Sequence, residues 1–299
     1  MPLQPIGRRI ACDWFASTDA RPYLRFRRIF GIYLCFYFLR FAPDVEVLFS
    51  NQGVNVPFLV PDIALPPLGA WLAYLATLGL TMAFALGFRP AAIGPMTLAA
   101  YLYHYFVQFG ASSYSYDRMN LIVIAIVCIG DIAVVNAPLA PGRCLAWAPR
   151  LLRFELAAMY FGSGLYKLLN PAWHDGRLIE MTLQGDWATA TGFALVQAGL
   201  PAWAFDSAAF GVIAFELAIG PALYIPRTRF AAAVAGTVFH GVNWFLLGIP
   251  EFLSCVALYA LFFEPPGRPH ESGDARRQSR CASHLSLEQN ERRGCPASC

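Results

Sequence analysis

Residues 206–264, DSAAFGVIAFELAIGPALYIPRTRFAAAVAGTVFHGVNWFLLGIPEFLSCVALYALFFE, decide the fold. They read as apolar blocks at about 206–225, 229–248 and 250–264, parted by the basic turn PRTR and then by Gly248-Ile249-Pro250. About 20 apolar residues make a helix of about 30 Å, the thickness of a bilayer's hydrocarbon core. The last block, at about 15 residues, is short for a full span. Five similar blocks precede these, at about 27–48, 68–88, 91–109, 119–136 and 151–169. The first is interrupted by Arg40 and Pro43, so an irregular outer end is expected. Of the 299 residues, 57% are hydrophobic and 14% charged, against roughly 25% charged in a soluble domain. The mean hydropathy of +0.48 agrees. The chain therefore reads as all-α, a polytopic transmembrane bundle of about eight spans.

Charge orients the bundle. With the N-terminus in the cytoplasm, the inner segments collect Arg8 to Arg28, Arg89, Arg143, Arg150, Arg153, Arg227, Arg229 and the tail, which is 18 of the 22 basic residues. The positive-inside rule then gives N-in and C-in. No signal peptide is expected, because the first apolar run lacks a small-residue cleavage site. The resulting organisation is a basic cytoplasmic segment over 1–26, a transmembrane domain over 27–264 and a disordered cytoplasmic tail over 265–299. A multi-pass protein of a bacterial cytoplasmic (inner) membrane is expected, with membrane lipids as its partners. The net charge of +3 carries no nucleic-acid signal, since the arginines are split among short loops and the tail. The eight cysteines form no CxxC pair or metal-ligand spacing, so no metal is expected.

Outer loops offer room for function. Residues 49–67, SNQGVNVPFLVPDIALPPL, carry four prolines and read as a non-helical cap. Residues 170–205 are the longest loop.

Polar residues inside spans are costly and usually face a bundle interior. Glu216 and His240 each lie about ten residues into their blocks and enter from opposite sides, so they read as partners near mid-membrane. Asn243 and Trp244 follow His240 at i+3 and i+4, on one helix face. An interhelical hydrogen bond that fixes packing is the structural alternative for Glu216 and His240.

The densest group is in 151–169. The chain has 21 arginines and a single lysine, Lys167. Where charge alone would be met by Arg, a retained Lys points to an amine that loses its proton when desolvated. Tyr160 and Ser163 share its helix face, since seven residues return almost to the starting angle. Gly162 and Gly164 flank that face and are expected to admit a neighbouring helix or a flat ligand. Lys167 lies about 24 Å along the helix from Leu151, in the outer third, with Trp173 beyond it as an interfacial anchor. A lysine there could equally snorkel to the interface.

These residues bear a resemblance. Gly164-Leu165-Tyr166-Lys167-Leu168, then Trp173 and Gly176, resemble the G-x-x-K-L…W…G signature of the vitamin K-dependent gamma-carboxylase superfamily, also called the HTTM (horizontally transferred transmembrane) family. Phe239-His240, Asn243, Ile249, Phe252 and Leu253 match its F-H-x-x-N…I-G-x-F…L pattern, and FELAIG around Glu216 resembles an acidic position of the preceding helix. The resemblance spans about 20–264 and covers the membrane core. It implies that Lys167 is the base that deprotonates a quinol of the vitamin K type. His240 would then act with it, while Glu216 and Asn243 line the pocket and Tyr160, Ser163 and Trp173 flank the ring. In the carboxylase, reaction with oxygen next gives a strong base that removes a proton from a substrate glutamate, to which carbon dioxide adds. A secreted peptide or protein is the substrate so implied. Where the carboxylase has a histidine, SSYSYDRMN here has none and places Asp117 and Arg118. Three readings stay open: a quinol-linked carboxylase or oxidoreductase, a non-catalytic helper for maturation or export of a secreted peptide, and a small-molecule transporter using Glu216 and His240.

Overall fold

The computed structural model describes residues 13–54, 63–108, 115–136 and 139–263. Tail 265–299, residues 1–12 and the middle of the 49–67 segment lie outside them. The long helices are α1 (Arg21–Leu39), α3 (Pro67–Leu86), α4 (Pro90–Val107), α5 (Ser115–Asn136), α6 (Trp147–Leu169), α9 (Ala202–Tyr224) and α10 (Arg229–Leu247). Short helices are α2 (Val45–Phe49), α7 (Arg177–Thr182), α8 (Ala190–Gln197) and α11 (Leu253–Tyr259). The protein is all-α, and every block expected to span holds a helix. Four of them, Pro67–Leu86, Tyr116–Asn136, Ala202–Tyr224 and Arg229–Leu247, are long and apolar enough to cross a membrane. Helices α1 and α6 are polar at one end, where Arg21, Arg25, Arg27 and Arg28 open the first and Arg150, Arg153 and Glu155 the second.

Helix ends follow local chemistry. Prolines open α3 and α4, where a missing N–H costs nothing. Gly87 closes α3 in the left-handed region (φ 73°), a conformation that any Cβ disfavours. As expected, α1 stops early: after Leu39 the chain makes a 3-10 turn at Ala42–Asp44 and then α2. Nearby, Arg40 pairs with the buried Glu251. The 170–205 segment differs from the long loop expected, because a 3-10 turn at Pro171–Trp173, α7 and α8 order it. One feature had no forewarning in the apolar pattern. Ser17–Asp19 (β1) and Arg143–Leu145 (β2) form a small antiparallel pair.

The core centres on α1, whose Phe26, Phe30, Leu34 and Phe38 are at most 1% exposed and repeat every four residues. Gly31 lets α3 approach so closely that a Cβ there would lie 2.5 Å from the Ala85 Cα. Arg27 donates to Asp131 at 2.9 Å, and the Tyr23 hydroxyl to the same carboxylate at 3.2 Å. This ties α1 to α5 with both charges buried. The opposite faces of the outer helices are apolar and exposed, as at Leu72, Leu86, Phe230, Val238 and Phe245. Such faces suit lipid rather than water.

Candidate functional site

Helices α6, α9 and α10 line a half-open cavity of about 620 Å³. Tyr160, Ser163, Lys167, Trp173, Glu216, His240 and Asn243 all line it. Between them stand Met159, Val212, Phe239 and Phe252, and Ile179, Thr182 and Leu183 from α7 and its end. Among the described residues its cover comes from Trp173 and α7, not from the 49–67 cap. Gly176 explains that placement: its φ is +66°, and a Cβ there would lie 2.4 Å from the Phe205 carbonyl carbon. Only glycine lets the α7 turn rest against the first turn of α9.

Close helix contact sets the charged pole. A Cβ on Gly164 would lie 3.0 Å from the Leu217 nitrogen and 3.1 Å from the Glu216 Cβ. One turn further along α9, a Cβ on Gly220 would lie only 3.3 Å from the Ala157 Cα, Cβ and carbonyl oxygen. This bare seam brings α9 against α6 and puts the Glu216 carboxylate within reach of Lys167. Gly162 takes no part, since nothing lies within 4 Å of its Cβ position. The expected close approach therefore belongs to Gly164 alone.

Lys167 Nζ donates to both Glu216 oxygens, at 2.7 and 2.6 Å, and to Ser163 Oγ at 2.7 Å. The Trp173 ring centroid is 4.9 Å from the same nitrogen. The ammonium's three donors are thus engaged. The two side chains are only 13% and 9% exposed, so the amine is desolvated but held by a counter-charge. This corrects the expected Glu216–His240 partnership. The Gly164 seam turns Glu216 toward α6, and a buried lone charge is far costlier than a paired one.

His240 has a different partner. Its Nε2 is 2.5 Å from the Tyr160 hydroxyl, which is also 2.5 Å from the Tyr259 hydroxyl. Phe252 stacks on the imidazole with centroids 5.7 Å apart, and Phe215 stacks on Phe239 at 4.3 Å. Tyr160 precedes Lys167 by about 10 Å along α6. The cavity therefore has two polar poles, a carboxylate-bound ammonium and a phenol-bound imidazole, set in an aromatic wall. Trp244 does not join them; it is 52% exposed and points away. At i+3 and i+4 two side chains fall on either side of the reference residue, and only Asn243 faces inward.

Sequence reasoning missed Tyr259, one aromatic residue in an apolar run with no pattern to mark it. Phe239 and Phe252 carried a signal in the family-like motif. Asp117 lies elsewhere: the Tyr37 and Tyr101 hydroxyls donate to it at 2.5 and 2.9 Å, and it does not line the cavity. Among the described residues no group of three His, Cys, Asp or Glu side chains could hold a metal ion.

A family model for the HTTM domain matches residues 15–266. No curated protein and no solved structure matches the chain. The match covers the whole described bundle, both motif blocks and every cavity residue, so the chain belongs to the HTTM domain family, membrane proteins related to the membrane core of the gamma-carboxylase.

Proposed function

We propose that the cavity binds a quinol of the vitamin K type and that Lys167 and Glu216 together take up a proton from it. The observation that carries this reading is the ion pair itself: the chain's sole lysine, hydrogen-bonded to a carboxylate, in the wall of a largely apolar cavity. The residues fit a flat aromatic ligand. Trp173, Phe239 and Phe252 supply apolar faces, polar groups stand at two separated points, and the volume falls within the roughly 300–1,000 Å³ usual for small-molecule sites.

When bound, a quinol supplies two hydroxyl protons and two electrons. Lys167 Nζ passes one proton to Glu216 and takes one from the ligand hydroxyl in its place. Glu216 ends as the neutral acid, and Lys167 remains an ammonium. Ser163 holds the amine in position, while Tyr160 and His240 bind the far end of the ring. Arginine in place of Lys167 keeps the charge but cannot make this transfer. The reaction is of carboxylase or oxidoreductase type, with a secreted peptide or protein as acceptor substrate, in a bacterial cytoplasmic membrane.

One observation favours a second reading. All three Lys167 donors are already engaged, which suits an interhelix tie in a non-catalytic helper for peptide maturation or export. Oxidation of hydroquinone by dissolved oxygen, which takes up its two electrons, separates the two in lipid nanodiscs. Turnover by the wild type, lost in both Lys167→Ala and Lys167→Arg, supports the quinol enzyme. Absence of turnover in folded wild type, or equal turnover in all three, sinks it and leaves the tie.

A further inference from the structure

Residues 187–205, WATATGFALVQAGLPAWAF, carry no charged side chain, whereas Asp175, Arg177, Glu180 and Asp186 crowd the stretch just before them. Within this run lies α8, capped by Thr189, whose hydroxyl accepts from Gly192 N at 3.1 Å. Gly192 is the one buried residue of the helix. With 3.6 residues per turn, Ala190, Ala194 and Gln197 fall on the face turned away from it, and all are small or polar. Phe193 and Leu195 flank the Gly192 contact on opposite sides, and both are exposed. Trp187 and Trp203 bracket the run and are exposed as well. In water these apolar side chains would stay unburied; at a membrane boundary the pattern suits a helix lying flat.

The seat of α8 fixes its depth. Thr189 N donates to the Leu246 carbonyl at 3.0 Å and Thr189 Oγ1 to the Phe245 carbonyl at 2.8 Å, while Gly248 N donates to the Trp244 carbonyl at 2.9 Å. A Cβ on Gly192 would lie 2.3 Å from the Leu246 oxygen, so only glycine admits this contact. Carbonyls that a helix end normally leaves to water are thus taken by the chain itself, as an end in lipid requires. Helix α10 has 19 residues, a length of about 28 Å, close to the roughly 30 Å of a bilayer's hydrocarbon core. With Arg229 at one boundary, its last turn reaches the other, and α8 with it. The adjoining face of α10 is apolar and exposed at Val238, Val242 and Phe245. At its edge, α8 continues that lipid-facing band.

We propose that α8 is an in-plane interfacial helix whose partner is the lipid surface on the Lys167 side of the membrane. Phe193 and Leu195 reach past its sides among the acyl chains, and Ala194 and Gln197 face headgroups and water. Trp187 and Trp203 stand at headgroup level, where such rings gather. Nothing in this assignment depends on what the cavity binds.

The test is spin labelling of the full-length chain, its native cysteines replaced by serine, in phosphatidylcholine nanodiscs. Single cysteines at 193, 194 and 195, all exposed positions, are compared with Val238→Cys on the lipid face and Asp175→Cys in the charged stretch. Collisions are read with oxygen, which concentrates among acyl chains, and with a neutral nickel chelate, which stays in water. The chelate must shed hydrogen bonds to enter hydrocarbon, so its collisions at 193 and 195 are expected to fall about tenfold or more below those at 175. Oxygen collisions at both are expected to match position 238, while 194 stays open to nickel. Nickel access at 193 or 195 equal to that at 175 places α8 in water and overturns the proposal. Exclusion of both reagents there means cover by protein, a second copy or a peptide, and overturns it too. So does nickel exclusion at 194 equal to that at 193, since a fully sunken helix is not an interfacial one. No quinol is in the sample, so failure here is separate from failure of the turnover assay.

Discussion

At Lys167 a single cation is shared between two helices, and the consequence of removing its partner follows from burial. Glu216→Gln leaves an ammonium with little access to water and no counter-charge. Breaking a buried pair from one side costs about 3–5 kcal/mol, and the variant is expected to lose about that much in denaturation of the purified protein in mild detergent. Removing both charges is a different perturbation, because no orphan remains. Lys167→Met/Glu216→Gln is expected to recover at least half of the loss, with a coupling term of about 2 kcal/mol or more in the double-mutant cycle. Strict additivity of the two single changes would mean that the 2.6–2.7 Å contacts carry no coupling energy, and the proton transfer between them would lose its basis.

Among the elements, α6 and α9 meet along a seam defined by what is missing from it. Gly164→Val must push the Leu217 backbone and side chain and the Glu216 Cβ aside, and overpacking of this kind costs about 1–3 kcal/mol. Gly162→Ala meets open space and is expected to be neutral or to gain up to about 1 kcal/mol of helix propensity. Melting temperatures of the two variants check this, and equal destabilisation by both would refute the seam. The same pair shows what a sequence discloses. Two glycines two residues apart look alike, because a one-dimensional pattern does not say which face a neighbour will occupy. The helix positions were legible, since a run of about 20 apolar residues has few other solutions. Tyr160, Ser163 and Lys167 were legible as a group because helical period places them on one face. The assignment of Glu216 to Lys167 instead of His240 was not, since it depends on the rotation of α9 about its axis. Short helices such as α7 span less than two turns, too few for a periodic signal. The β1–β2 pair joins segments more than 120 residues apart, which no local pattern reports.

Across the whole molecule, contacts gather the arginine-bearing helix ends at one end of the bundle. β1 pairs with β2, Arg27 reaches Asp131, Arg153 donates to the Leu261 carbonyl, and Arg229 Nε donates to Leu223 O at 3.1 Å. Lys167, Trp173, Asp175 and Arg177 stand at the opposite end of α6. If the bundle spans the membrane with its arginine end inside, the exposed positions Gly142 and Thr228 face the cytoplasm, and Asp175 and Gly199 face out. Single cysteines at these four sites, in a chain whose native cysteines are replaced by serine, distinguish the sides with a membrane-impermeant maleimide on intact cells. Positions 175 and 199 are expected to label at once, and 142 and 228 only after lysis. The reverse pattern would invert the protein. Labelling of 142 without 228, or of 228 without 142, would leave an odd number of crossings between them, and α6 and α9 could not both span. The expected pattern places the Trp173 and α7 cover, and with it the Lys167–Glu216 pole, at the outer surface, the side that the proposed secreted substrate would reach without crossing the bilayer.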